Sequence, residues 1–80
     1  MTIGEAVRQR ILQLCQERDI SINKLSSISG VTQSTVNNIV SGRNNSATVS
    51  TIKKLCDGLG ITIDVFFCSD LFSGLEQEIK

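Results

Sequence analysis

Ser21-Ile22-Asn23-Lys24-Leu25-Ser26-Ser27-Ile28-Ser29-Gly30-Val31-Thr32-Gln33-Ser34-Thr35-Val36-Asn37-Asn38-Ile39-Val40-Ser41-Gly42 decides the fold of this chain. Ser21 carries a hydroxyl that can accept a bond from a free N–H at a helix start. A helix over about Ile22–Ser29 follows, with Leu25 and Ile28 as its apolar side. Ser26, Ser27 and Ser29 are small and let another helix come close. Gly30 ends the segment, because a helix C-terminus commonly needs a left-handed residue. Only Val31 and Thr32 separate it from a second helix, which Thr32 caps and which runs from about Gln33 to Ser41. Val36, Ile39 and Val40 form its buried stripe, Gln33, Ser34, Asn37 and Asn38 remain outside, and Gly42 closes it.

The flanks extend the same pattern. Over about Gly4–Arg18, Val7, Ile11, Leu14 and Cys15 draw one apolar stripe down a helix, and Leu12 lies off it, exposed or against a partner. Arg43-Asn44-Asn45-Ser46-Ala47 reads as a polar loop. Thr48 caps a fourth helix with Val49, Ile52, Leu55, Cys56 and Leu59 inward. Gly58 inside that helix costs about 1 kcal/mol relative to alanine. Gly60 stops it, and Thr62 caps a short fifth helix holding Ile63, Phe66 and Phe67. The tail, Ser69–Lys80, carries Leu71, Phe72, Leu75 and Ile79 among acids, as one more helix, a dimer contact or a loose end. There is no sustained period-2 alternation. The expected fold is all-α: a compact bundle of about five short helices, with residues 1–68 as the domain and 69–80 as its tail.

Eighty residues leave room for one core. With 40% hydrophobic and 20% charged residues the chain has the composition of a folded domain rather than a disordered one. No apolar run approaches the roughly 20 residues a membrane span needs, and Met1-Thr2-Ile3-Gly4-Glu5 does not resemble a secretory signal. A cytoplasmic protein without a membrane partner is expected. The absence of histidine, tryptophan and tyrosine excludes His-based triads, His metal ligands and most aromatic stacking platforms. Cys15, Cys56 and Cys68 form no Cys-x-x-Cys pair and read as reduced, buried, apolar residues. No metal and no cofactor are expected. An enzyme would also want a general base or a phosphate-binding loop, and the sequence offers neither.

Net charge is zero, but it is unevenly placed. Residues 1–54 hold seven basic and three acidic side chains, whereas residues 55–80 hold one basic and five acidic ones. The first part can therefore present a positive face to a phosphate backbone while the other end stays acidic.

Two short helices joined at a glycine turn, the second exposing amides and hydroxyls on its first turns, make a helix-turn-helix. The second helix of such a pair enters the major groove of DNA. Gln and Asn amides both donate and accept, as bidentate pairing with adenine requires. The methyl of Thr32 or Thr35 can touch a thymine methyl. A face selected only for solubility would favour Lys and Glu, which are better helix formers than Asn and Ser.

From about Val7 to Phe67 the sequence resembles the Cro and lambda-repressor-like (Xre-like) helix-turn-helix regulators. The likeness lies in Lys24-Leu25-Ser26, in Gly30-Val31-Thr32-Gln33-Ser34-Thr35-Val36, in Ile39, in Gly42-Arg43-Asn44, and in Ile52 through Leu55 to Leu59-Gly60-Ile61-Thr62-Ile63-Asp64. The resemblance implies a five-helix bundle that binds double-stranded operator DNA, usually as a symmetric dimer. It places Thr32, Gln33, Ser34, Asn37 and Asn38 at base-facing positions. It places Arg43, Asn44 and Asn45 in the loop that meets the backbone, and Ser21 and Asn23 at the phosphate-holding start of the second helix.

Three departures stand out. Ile22 occupies a position where the family often has glutamine, and Ser26 one where it often has alanine. Cys15 and Val40 fall where many members keep a buried arginine–glutamate pair, so an apolar contact is expected instead. Val65, Phe66 and Phe67 cannot all face inward from one short helix. Phe66 is expected in the core, and Val65 or Phe67 is left over. With Leu71 and Phe72 these residues would leave an apolar patch for a second subunit to cover. Another use of the same scaffold is a protein-interaction module, such as an antitoxin-like or adaptor domain, with only non-specific affinity for DNA.

Overall fold

A computed structural model describes residues 1–42 and 47–79 of the chain. The helices are α1 (Ile3–Glu17), α2 (Ile22–Ser29), α3 (Gln33–Val40), α4 (Val49–Leu59) and α5 (Ile63–Phe67), followed by a single 3-10 turn at Asp70–Phe72. No strand occurs among the described residues, so the all-α expectation holds.

Each helix starts behind a hydroxyl. The oxygens of Thr2, Ser21, Thr32, Thr48 and Thr62 accept the backbone N–H three residues on, at 3.2, 3.0, 3.2, 3.1 and 3.4 Å. These bonds satisfy donors that a helix start otherwise leaves open. Gly30 ends α2 with φ 71°, a conformation that any side chain would strain. The link from α1 to α2 turns at Asp19, which holds φ 54°.

α2 packs on α4 and α3, α1 packs on α3, and α5 packs on α4. Ile11, Leu25, Val36, Leu55, Cys56 and Phe66 are fully buried where these elements meet. Among the described residues no helix is long and apolar enough to cross a membrane.

α2 and α4 approach each other closely. A Cβ added at Gly58 would lie 2.8 Å from the Ser29 Cα and 2.9 Å from the Ile28 oxygen and the Ser29 nitrogen. Gly58 is therefore the seat of the neighbouring helix, and the small residue it faces is Ser29. Ile28, whose backbone oxygen lies at this contact, is 39% exposed rather than buried as its spacing suggests. Val49 is likewise not inward. It stands in the first turn of α4 and is 73% exposed.

Arg10, one of the basic residues of the first part of the chain, is buried at 8% exposure. Its Nε donates to the Phe66 carbonyl at 2.6 Å, one terminal amine to the Val65 carbonyl at 2.9 Å, and the other to the Gln13 Oε1 at 2.7 Å. A five-residue helix such as α5 cannot sustain itself. The guanidinium fastens its last turn to α1.

The tail forms the 3-10 turn against α1. Its Phe72 ring packs on Phe67, with centroids 4.8 Å apart, and Phe67 packs on Phe66 at 4.9 Å. Phe67, Leu71 and Phe72 are thus half-buried within the chain itself, and of the expected apolar patch only Val65 stands well exposed.

Cys15 and Cys56 are buried, whereas Cys68, at the C-terminal end of α5, is exposed, contrary to expectation. Burial pushes the Cys15 and Cys56 thiols above their ordinary range. The folded protein keeps these protons at pH values where the unfolded chain sheds them. The stability this confers is complete below the unfolded thiol range, about pH 8.5, and is lost as pH rises through the folded values. The urea midpoint should therefore fall above about pH 8.5. In Cys56→Ala the midpoint should start lower and fall less steeply. An equally steep fall would remove Cys56 as a cause.

Candidate nucleic-acid interface

The turn between α2 and α3 is fixed from inside. Val31 is buried at 9% exposure, and its carbonyl accepts the Ser26 hydroxyl at 2.5 Å. The Ser26 hydroxyl, at a position where the regulators this sequence resembles often have alanine, thus ties the turn to α2. Ser29 Oγ donates to the Leu25 carbonyl at 2.6 Å. Together these contacts hold α3 at a set angle to α2.

On α3, Val36 and Ile39 are buried and Val40 is half-buried. Thr32, Gln33, Ser34, Asn37 and Asn38 are all exposed, so the polar ridge stands clear of the protein's own interior. The Thr32 and Thr35 hydroxyls share a hydrogen bond at 2.8 Å. The side chains of Ser34, Asn37 and Asn38 have no partner among the described residues, which leaves their hydrogen-bonding groups open to a ligand.

Gln33 is held. Its Nε2 donates to the Asn23 Oδ1, which joins the first turn of α3 to the first turn of α2. That bond engages one N–H of the amide and leaves its carbonyl oxygen and second N–H without a partner among the described residues. Asn23 keeps its own Nδ2 for another acceptor. Ile22, where the family often has glutamine, turns inward against the core instead. Ser21 and Asn23 are exposed at the N-terminal end of α2, where unpaired N–H groups and the helix dipole favour an anion. The sequence places amides at positions 23 and 33, but no local pattern announces their bond, since ten positions separate them. Arg43, Asn44 and Asn45, expected in the backbone-contacting loop, lie outside the described residues.

An exposed polar ridge on the second of two helices set by a rigid turn has the geometry of a groove-reading element. The sequence matches the profile of the Cro/C1-type HTH DNA-binding domain over residues 10–65. The chain belongs to that family. A solved structure described as the prophage Lp1 protein 11 is similar to it, with a TM-score of 0.78 at 36% sequence identity. That likeness covers 86% of this chain and 91% of the other. No curated protein matches the sequence significantly.

For a Cro/C1-type domain, the way α1 and α3 are joined here is notable. Cys15 is buried and Val40 packs against the same apolar cluster, so two apolar residues stand where an ion pair was possible. The polar tie is elsewhere: Arg8 Nε donates to the Val40 backbone carbonyl at 2.7 Å. In the sequence, Arg8 reads only as part of the positive charge of residues 1–54. Its partner lies 32 positions away, so nothing local marks it.

Proposed function

We propose that this DNA-binding domain is a sequence-specific regulator of transcription, a repressor acting as a homodimer on a two-fold symmetric operator in the cytoplasm. The observation that carries the proposal is the solvent-facing ridge of α3 with its Gln33 amide oriented by Asn23. In this reading Thr32, Gln33, Ser34, Asn37 and Asn38 face base edges, while Ser21, Asn23, Arg43, Asn44 and Asn45 meet phosphates. An oriented glutamine amide fits adenine, which offers a donor and an acceptor side by side in the major groove. Residues 1–68 carry the DNA-binding function. Residues 69–80 belong to the dimer contact, built around Val65 with Phe67, Leu71 and Phe72 at its edge.

Selection from a random pool of duplexes, followed by sizing of the complex, tests this. The expected result is a symmetric site whose half-sites lie about 34 Å apart, bound by two chains. Enrichment of no sequence, together with a stoichiometric protein partner in a pull-down, would favour an interaction module instead.

On the selected site, Gln33→Ala should cost about 1.5 kcal/mol, roughly tenfold in affinity, and relax the preference at one base pair. Asn23→Ala should reproduce part of that loss. The double variant should lose less than the sum, because the two amides act as one hydrogen-bonded unit. Fluorescence anisotropy with the selected duplex and single-base variants measures both effects. Additive losses would mean that Asn23 does not orient Gln33.

A further inference from the structure

Arg8 differs from the other cations near the core. Arg10 is buried and all its nitrogens are engaged by Phe66, Val65 and Gln13. Lys53 is paired with Asp57. Arg8, half-buried on α1, uses only its Nε, on the Val40 carbonyl at 2.7 Å.

That carbonyl is the last of α3, and the bond completes the helix end. The Asn37 carbonyl accepts the Ser41 N–H at 2.9 Å, the Asn38 carbonyl the Ser41 hydroxyl at 3.3 Å, and the Ile39 carbonyl the Gly42 N–H at 3.4 Å. The Val40 carbonyl takes its donor from α1 instead. Each carbonyl that a helix end leaves open thus has a partner.

The two terminal amines of Arg8 have no acceptor among the described residues, and no carboxylate there pairs with the guanidinium. Glu5, one turn earlier on α1, forms no ion pair with it. A planar fork fixed through Nε, with its other edge open and its charge uncompensated, is suited to an anion with paired oxygens. The charge also lies at the negative end of the α3 dipole, where a phosphate would otherwise be disfavoured.

We propose that Arg8 is a DNA-backbone contact, held against the recognition helix by that helix's last carbonyl and presenting its terminal amines to a phosphate beside the α3 C-terminus. The proposal rests on α3 reading DNA. It adds a phosphate contact from α1, outside the helix-turn-helix pair, and makes the position of the recognition helix and the grip on the backbone depend on one side chain.

The test begins with the parent chain titrated with its selected duplex across a range of salt. No sequence-preferring, salt-dependent binding would end the DNA reading and the role of Arg8 together. Given such binding, Arg8→Gln removes the charge while keeping an N–H donor on a shorter stem. The expected variant is folded by circular dichroism, binds all sequences more weakly with unchanged base preference, and shows a log–log salt slope shallower by about 1. Weaker binding with an unchanged slope would make Arg8 a structural tie only and overturn the proposal. Should Arg8→Gln fail to fold, arginine-selective NMR of the parent decides. The Arg8 terminal-amine signals, averaged by rotation in the free chain, should resolve and exchange slowly when the duplex is added. Signals that stay averaged in the complex would overturn it.

Discussion

Gly58→Ala should destabilise the protein by about 2–3 kcal/mol, even though alanine is the better helix former by about 1 kcal/mol. The sign is decided by what the new methyl group meets. Its nearest neighbours, at 2.8–2.9 Å, are the Cα and nitrogen of Ser29 and the carbonyl oxygen of Ile28. All are backbone atoms, so no side chain can rotate away, and the two helices must separate. Separation opens the packing of Leu25 against the α4 face and shifts the end of α2 from which Gly30 and Val31 lead into α3. The expected loss corresponds to a melting temperature lower by roughly 10–20 °C for a domain of this size. A thermal melt by circular dichroism measures it. A Gly58→Ala variant melting at or above the parent would mean that propensity outweighs the contact and that α2 and α4 are not so close.

Arg10→Met should cost about 3–4 kcal/mol. Methionine fills much of the same space but donates nothing. The Val65 carbonyl keeps the Cys68 N–H at 3.1 Å, while the Phe66 carbonyl loses the donor that Arg10 supplied at 2.6 Å. A buried acceptor left open costs about 1–3 kcal/mol, and the charge-assisted bonds are lost as well. Removing a buried charge offsets part of this. α5 is too short to persist without its clasp, so Phe66, Phe67 and Phe72 should loosen together. Arg10→Lys should fall between the parent and Arg10→Met, since an ammonium reaches one carbonyl where the fork reaches two. Urea denaturation gives the stabilities. Equal midpoints for Arg10→Met and the parent would show that α5 is held by apolar packing alone.

Much of the architecture is legible along the chain. The hydroxyls of Ser21, Thr32, Thr48 and Thr62, the glycine at position 30 and the stripes Val7–Ile11–Leu14–Cys15 and Ile52–Leu55–Cys56–Leu59 locate the helices and their inner faces. So does the outward set of Thr32, Gln33, Ser34, Asn37 and Asn38, because periodicity on α3 leaves those positions to solvent. The pattern misleads at particular residues. Ile28 and Val49 have the right hydrophobicity for the core yet are exposed, Ile28 beside the close α2–α4 contact and Val49 in the first turn of α4. Arg10 has the hydrophobicity of a surface residue and is buried, because carbonyls rather than carboxylates receive it.

What the amino-acid order alone determined is the set of helices, their caps, their turns and the polar ridge. Each of these is settled by residues within about four positions of one another, the reach of helix periodicity and capping bonds. The folded arrangement decided the rest: Asn23 orienting Gln33, Arg8 closing the end of α3, and Arg10 clasping α5, across sequence separations of 10, 32 and 56. Such partners meet only after the helices have packed. Their identity depends on angles and distances between elements, which the buried contacts of Gly58, Leu25 and Phe66 set and which no local pattern encodes.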